Sequence, residues 1–223
     1  EGKTTLTKAV YNDISLRFKA SCFVSDVRTS AQDLKGLREL QTQVVKDLLK
    51  GNVVVDNVDR GKSILRSRLG SVRALLVLDD VDHMKQLEAL GMDWLGLGSR
   101  VIVTTRDQRI LKSKENVEIW KMEGLNDEEA LELFSWHSFL KASPEKEYQD
   151  LSMKVVRACG GLPLSLEVLG SFLYNEKDRR CWIEALMRLE SVSFQDIFET
   201  LKISYNALCF QEKQIFLHIA CFF

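Results

Sequence analysis

Gly2-Lys3-Thr4-Thr5 runs straight into a stretch with helical periodicity, the pattern of a phosphate-binding loop feeding a helix. Backbone N–H groups at such a helix start cradle phosphate oxygens. The Lys neutralises their charge, and the Thr hydroxyl that follows it takes a magnesium ion. On its own a Gly-Lys-Thr triplet is weak, because a surface helix with a solvated Lys begins the same way. A second feature supplies context: the apolar run 74–78 ends in Asp79-Asp80. An apolar strand delivering an acid at its C-terminal end places a carboxylate within reach of a metal at the phosphate site. Asp79 would orient the metal's water shell, and Asp80 would position or activate an attacking water. Two Asp in that place also serve to cap a following helix. Arg106 leaves the end of another apolar run, 101–105. Ligands of open α/β sheets bind at that edge, so Arg106 is a candidate sensor of a terminal phosphate. The alternative is a surface ion pair with Asp107 or a nearby Glu.

These residues need a scaffold, and the hydrophobic pattern supplies one. Residues 4–18 put Leu6, Ala9, Val10 and Ile14 on one helical face, and Cys22-Phe23-Val24 follow as a short strand. A second amphipathic helix carries Leu34, Leu37, Leu40, Val44, Val45, Leu48 and Leu49, and a shorter one Ile64, Leu65 and Leu69. Strands 74–78 and 101–105 flank a helical stretch at 83–90, and one further strand is expected at 117–122. Uniformly apolar strands separated by helices imply a parallel sheet covered on both faces. Beyond Leu125 the pattern turns wholly helical. Asn126-Asp127-Glu128-Glu129 reads as a capping box, and helices are expected over 148–158, 164–173, 181–189, 197–205 and 211–221. Gly160-Gly161 reads as a helix stop, with Pro163 near the first turn of the restart. An α/β unit therefore precedes a helical one, with the division near Gly124.

Composition removes other classes. The 223 residues carry 31 Lys+Arg against 32 Asp+Glu, a formal net charge of -1, which argues against a polybasic nucleic-acid or membrane-surface binder. The longest apolar runs are too short to span a bilayer. The 5 Cys are scattered without a Cys-x-x-Cys pair, pointing to buried thiols in a reducing, cytoplasmic setting rather than a disulfide frame or zinc site. Trp94, Trp120, Trp136 and Trp182 lie in apolar patterns and are expected in the core. Glu1 stands directly before the loop, and the chain stops inside the run Ile219-Ala220-Cys221-Phe222-Phe223, so an internal fragment of a longer protein is expected.

The order of motifs resembles the nucleotide-binding (NB-ARC) region of plant disease-resistance proteins, relatives of the apoptotic protease-activating factor. The matching stretches are Gly2-Lys3-Thr4-Thr5, 75–82, 98–106, 124–134, Cys159-Gly160-Gly161-Leu162-Pro163-Leu164, and 216–223. Asp82, closing Leu-Asp-Asp-Val-Asp, is typical of the branch with an N-terminal Toll/interleukin-receptor-like domain. His218 stands where that branch more often has Asp.

The resemblance implies an α/β P-loop NTPase fold: a doubly wound parallel sheet, its first strand missing here, followed by an all-α helical subdomain. It divides the chain into a nucleotide-binding subdomain (1–124), a helical subdomain (125–205) and the start of a further one (206–223). It implies ADP/ATP and Mg2+ as ligands, with Gly2 and Lys3 on the phosphates, Thr4 on the metal and Thr5 toward the α-phosphate. Asp79 and Asp80 become the acidic pair, Asp79 facing the metal, and Arg106 the phosphate sensor. Pro163 and Leu164 belong to the turn that packs on the adenine.

The function so implied is a nucleotide switch in an intracellular receptor, with slow or no hydrolysis. Its partners would be the receptor's signalling domain and leucine-rich repeats, with self-association on activation. Two other classes stay open. A metabolic P-loop kinase would need an acceptor pocket, for which no residue cluster stands out. A nucleotide-free scaffold is suggested by Glu1, whose carboxylate would repel phosphates unless turned away or paired.

Overall fold

The computed structural model describes residues 2–50, 53–112, 116–190, 202 and 205–222. Glu1 lies outside these, as does nearly all of the helix expected at 197–205. The chain divides into two compact units, Gly2–Lys121 and Met122–Phe223.

The first unit is built on a three-stranded parallel sheet in the order β1-β2-β3, with β1 Ala20–Val24, β2 Ala74–Val81 and β3 Arg100–Thr105. β2 sits in the middle and is buried along almost its whole length, as its unbroken apolar run demands. The helices around it are α1 Lys3–Ile14, the single turn α2 Val27–Ser30, α3 Leu34–Leu49, α4 Val58–Leu69 and α5 Met84–Ala89. The apolar face of α3 (Leu40, Val44, Val45, Leu48) joins Leu65 and Leu69 of α4 and Leu76 and Leu78 of β2 in one core. Gln41 is fully buried in this core, and its Nε2 donates to the carbonyls of Val58 (3.0 Å) and Ala89 (2.8 Å).

Two expectations fail here. The helix over 4–18 forms as α1 plus a 3-10 turn at Ser15–Arg17, but Leu6 and Ala9 lie on its exposed side. The buried residue is Thr7, whose hydroxyl donates to the Lys3 carbonyl (2.6 Å). Below it, Tyr11 packs edge-on against Phe23 and bonds to Ser21. A polar anchor at Thr4, described below, sets the rotation of α1 in place of its apolar stripe. The strand expected at 117–122 does not form. Its hydrogen bonds would need a ladder partner, and only Val117 packs on the core, while Ile119 and Trp120 (84% exposed) point away from it.

The second unit is helical: α6 Asp127–Phe139, α7 Gln149–Ala158, α8 Pro163–Phe172, α9 Arg179–Glu190 and α10 Phe210–Phe222. Both halves of the capping box at Asn126 and Glu129 are made, satisfying orphan N–H groups at the start of α6. Gly160 and Gly161 take positive φ (59° and 71°), and Pro163 opens α8 as its first residue. Gly161 is required twice over. Its φ is left-handed, and a Cβ would sit 2.3 Å from the Leu125 carbonyl oxygen, beside the bond from the Leu125 N–H to the Gly161 carbonyl (2.8 Å). The core is aromatic: buried Trp182 meets Phe134 edge-on (5.9 Å), stacks on Phe139 (5.7 Å) and touches Tyr148 (4.9 Å). Of the four Trp, Trp182 is core and Trp94 packs partly on the other unit's core, but Trp120 and Trp136 are exposed, against expectation.

Candidate functional site

The C-terminal end of β2 holds the one buried carboxylate among the described residues. Asp79 is 1% exposed, and a charge so placed requires partners. It has two hydroxyls. Thr4 in the first turn of α1 donates to Asp79 (2.8 Å to Oδ2, 3.1 Å to Oδ1), and Thr104 in β3 donates to Oδ1 (2.6 Å).

Thr104 does a second job. Its Oγ1 accepts the Asp80 N–H (2.8 Å) at the point where the β2–β3 pairing slips by one residue, from Leu78 opposite Val103 to Val81 opposite Thr105. Asp79 and Asp80 both fall opposite Thr104 in this bulge, and Asp80 adopts a left-handed φ of 54°, uncommon for a residue with a Cβ. Adjacent side chains of a strand leave on opposite faces, and the two acids have different partners. Asp79 turns inward to the hydroxyls, while the Asp80 carboxylate pairs with Arg28 Nη2 (3.1 Å) and Arg106 Nε (3.2 Å).

Gly2 enters α1 in the left-handed conformation (φ 78°), and no side chain caps the helix. The first N–H groups of α1 thus lack intrahelical acceptors and point out beside Thr4, the arrangement that receives an anion. The oxygens gathered here are hard donors. Thr4 spends its proton on Asp79 and keeps lone pairs for a cation, and Asp79 presents a carboxylate. That set fits magnesium, which binds through one or two protein oxygens while keeping waters and phosphate oxygens. Among the described residues no group of three or more His, Cys, Asp or Glu comes together that could hold a metal ion.

The structure thus brings Thr4, Asp79, Asp80 and Arg106 together beside Gly2 and Lys3. Thr5 lies exposed in the same helical turn. Arg106 pairs with Asp80, whereas Asp107 is taken by Arg109. Pro163 and Leu164 lie in the other unit, at the start of α8. Thr104 and Arg28 are participants that the sequence motifs did not single out. Thr104 precedes Arg106 by two residues, at the spacing that lines one face of a strand. Arg28 follows the C-terminal end of β1, the edge where Asp79, Asp80 and Arg106 emerge.

Cys22 and Cys159 are buried free thiols. Burial pushes the Cys159 thiol up to about 12. Burial, and then the Asp47 carboxylate that accepts its S–H (3.3 Å), also raise the Cys22 thiol. Neither supplies a thiolate near neutral pH.

A parallel α/β sheet that aligns an uncapped Gly-Lys-Thr helix start with a buried strand-end carboxylate defines a nucleotide-binding P-loop domain. Residues 1–143 match the NB-ARC domain model, and the chain belongs to the NB-ARC domain family. Among curated proteins it is similar to the disease resistance protein RUN1 of Vitis rotundifolia, 41% identical over 100% of this chain and 17% of that protein. It is likewise similar to the disease resistance protein RPV1 of Vitis rotundifolia (42% identical, 100% of this chain, 16% of the relative). The TMV resistance protein N of Nicotiana glutinosa is 36% identical over 99% of this chain and 20% of its own length. The chain therefore spans a fifth or less of the length of these relatives. No helix among the described residues is long and apolar enough to cross a membrane.

Proposed function

We propose that this chain is the ADP/ATP-binding switch module of an intracellular plant immune receptor, of the class with an N-terminal Toll/interleukin-receptor-like domain. The observation that carries the reading is the bond from Thr4 to buried Asp79, which ties the loop's hydroxyl to the strand-end acid. Relatives named as disease resistance proteins, matched across the whole chain, supply the biological setting.

In this reading Gly2 and Lys3 hold the phosphates with the N–H groups of α1, and Thr5 lies toward the α-phosphate. Thr4 and Asp79 hold Mg2+, which when bound neutralises phosphate charge and fixes a water shell. Asp80 aims a water, and Arg106 senses the terminal phosphate. Pro163 and Leu164 enter through the family resemblance alone, as an apolar contact to the base. Residues 1–124, 125–205 and 206–223 serve as the nucleotide-binding subdomain, the helical subdomain and the start of the next.

ADP holds the resting receptor and ATP favours the active one, through their different affinities for two conformations. Turnover is slow or absent, the protein acts in the cytoplasm, and its partners are the receptor's own signalling domain and leucine-rich repeats, then further copies on activation.

The test is nucleotide content. In the intact protein, Lys3→Arg replaces a compact ammonium with a planar fork that does not fit the same phosphate cradle. Protein purified with this substitution should carry no ADP and should not signal. ADP retained at the unsubstituted level would sink the proposal.

A further inference from the structure

One carboxylate shared by two guanidinium groups leaves a surplus positive charge, and the two arginines on Asp80 are not alike. Arg28 comes from α2, just after β1, and its side chain is 36% exposed; Arg106, just after β3, is 70% exposed. Asp80 itself is fixed, its N–H held by Thr104 and its backbone set in the bulge. An exposed ion pair is worth little and is readily exchanged. Arg106 is therefore the arginine that can leave Asp80 for another anion, and Arg28 the one that stays.

We infer that Arg28 is a positioning residue for terminal-phosphate recognition: it keeps the Asp80 carboxylate paired and aimed while Arg106 turns from Asp80 to the terminal phosphate of a bound nucleoside triphosphate. This rests on the nucleotide-switch reading above and deepens it. Without Arg28, the departure of Arg106 would leave a bare carboxylate facing an incoming phosphate, and Asp80 would hold Arg106 back. A diphosphate does not call on Arg106, so Arg28 sets the preference between the two nucleotides and not the affinity for both.

The experiment measures binding of ADP and of a non-hydrolysable ATP analogue, each with Mg2+, to the intact protein by calorimetric titration. Arg28→Ala should weaken the triphosphate about tenfold, within the usual range of coupling between sites, and leave ADP within about twofold. Arg28→Lys, which keeps a charge on Asp80, should recover most of the loss. Adding Asp80→Asn to Arg28→Ala should also recover triphosphate affinity, because the uncompensated carboxylate is gone. A role in folding alone does not produce that rescue, and retained ADP binding confirms that each variant is folded. Equal weakening of both nucleotides, or no rescue by Asp80→Asn, overturns the assignment of Arg28 while leaving the switch intact. Failure of the unsubstituted protein to bind either nucleotide overturns the switch reading, and this inference with it.

Discussion

In the unit Gly2–Lys121 the buried carboxylate of Asp79 is bonded to Thr4 and Thr104, side chains from separate elements meeting at one end of the sheet. Among the described residues of Met122–Phe223 the buried polar side chains are Ser135, Ser138, Ser152 and Ser165, all on helices. Ser135 returns its proton to the Leu131 carbonyl of its own helix, and the Ser138 and Ser152 hydroxyls find no partner. The core there is filled by Phe134, Trp182 and their aromatic neighbours. Burying a carboxylate costs free energy that hydroxyl bonds only partly offset. A protein selected for stability alone would place an apolar residue at the end of β2. The contrast separates a unit shaped around a charge from one shaped around packing, and substitutions should show it.

The largest effect is expected in the helical unit. Trp182→Ala removes the ring that touches Phe134, Phe139 and Tyr148 and breaks the bond from its Nε1 to the Glu176 carbonyl (3.1 Å). Truncation of a fully buried aromatic costs about 3–5 kcal/mol. Urea unfolding should show that loss as a shift in midpoint. A cost under about 1 kcal/mol would mean that the aromatic cluster does not hold the unit together. Next comes Thr104→Val in the α/β unit, which keeps the shape but orphans the Asp80 N–H and removes one of the two hydroxyls on Asp79. Leaving buried polar groups unpaired costs about 1–3 kcal/mol. Thr104→Ser, which keeps the hydroxyl, should restore most of it. If Val and Ser unfold alike, the network does not pin the bulge, and the contrast between the units loses its polar half.

The same contrast decides what was legible in the sequence. β2 announced itself because a strand buried on both faces needs an unbroken apolar run, and α3 because its apolar positions repeat at helical spacing. Asp79 and Thr4 were readable as a pair since each motif supplies what the other lacks. The rotation of α1 was not readable: the helical spacing of Leu6, Ala9, Val10 and Ile14 does not show that Thr4 bonds directly to Asp79 and that Leu6 and Ala9 are left exposed. The segment 117–122 has strand-like residues, but a strand is made by its neighbour. Arg28 escaped because the single turn Val27–Ser30 is too short to show a period. The positive φ of Asp80 follows from the slip in register with β3, a property of two strands together.

A smaller change probes the helical unit's entry. Asn126 accepts from the N–H groups of Glu128 (3.0 Å) and Glu129 (2.9 Å), and Glu129 reaches back to the Asn126 N–H (3.1 Å). Asn126→Ala should cost about 1 kcal/mol, and Asn126→Gly only a few tenths, since Gly leaves the N–H groups open to water. Unfolding monitored by circular dichroism measures both. Equal costs would show that the lost side-chain oxygen, common to both variants, sets the whole cost and that solvent access at Gly recovers nothing.

The smallest effect tests how far the polar organisation of the α/β unit extends beyond Asp79. Arg109 grips the exposed Asp107 with Nε (2.9 Å to Oδ1, 3.0 Å to Oδ2), Nη2 (2.7 Å to Oδ2) and its own backbone N–H (2.9 Å to Oδ1). The side-chain bonds, and then the backbone bond, pull the Asp107 carboxyl down to about 2 from the usual 3.8. A carboxyl lowered in the folded state contributes stability that is present above its unfolded value, near 4, and lost as pH falls through about 2. Asp107→Asn should therefore flatten the fall in stability between about pH 4 and pH 2 by one carboxyl's share and change nothing near pH 7 beyond the lost surface pair. Because the pair is exposed, salt should shrink the difference. Titration of the Asp107 carboxyl carbon by nuclear magnetic resonance reads the group directly. A midpoint near 4 would show that Arg109 does not hold its fork in water, and would confine the ordered charges of this unit to those that β2 and β3 bring together.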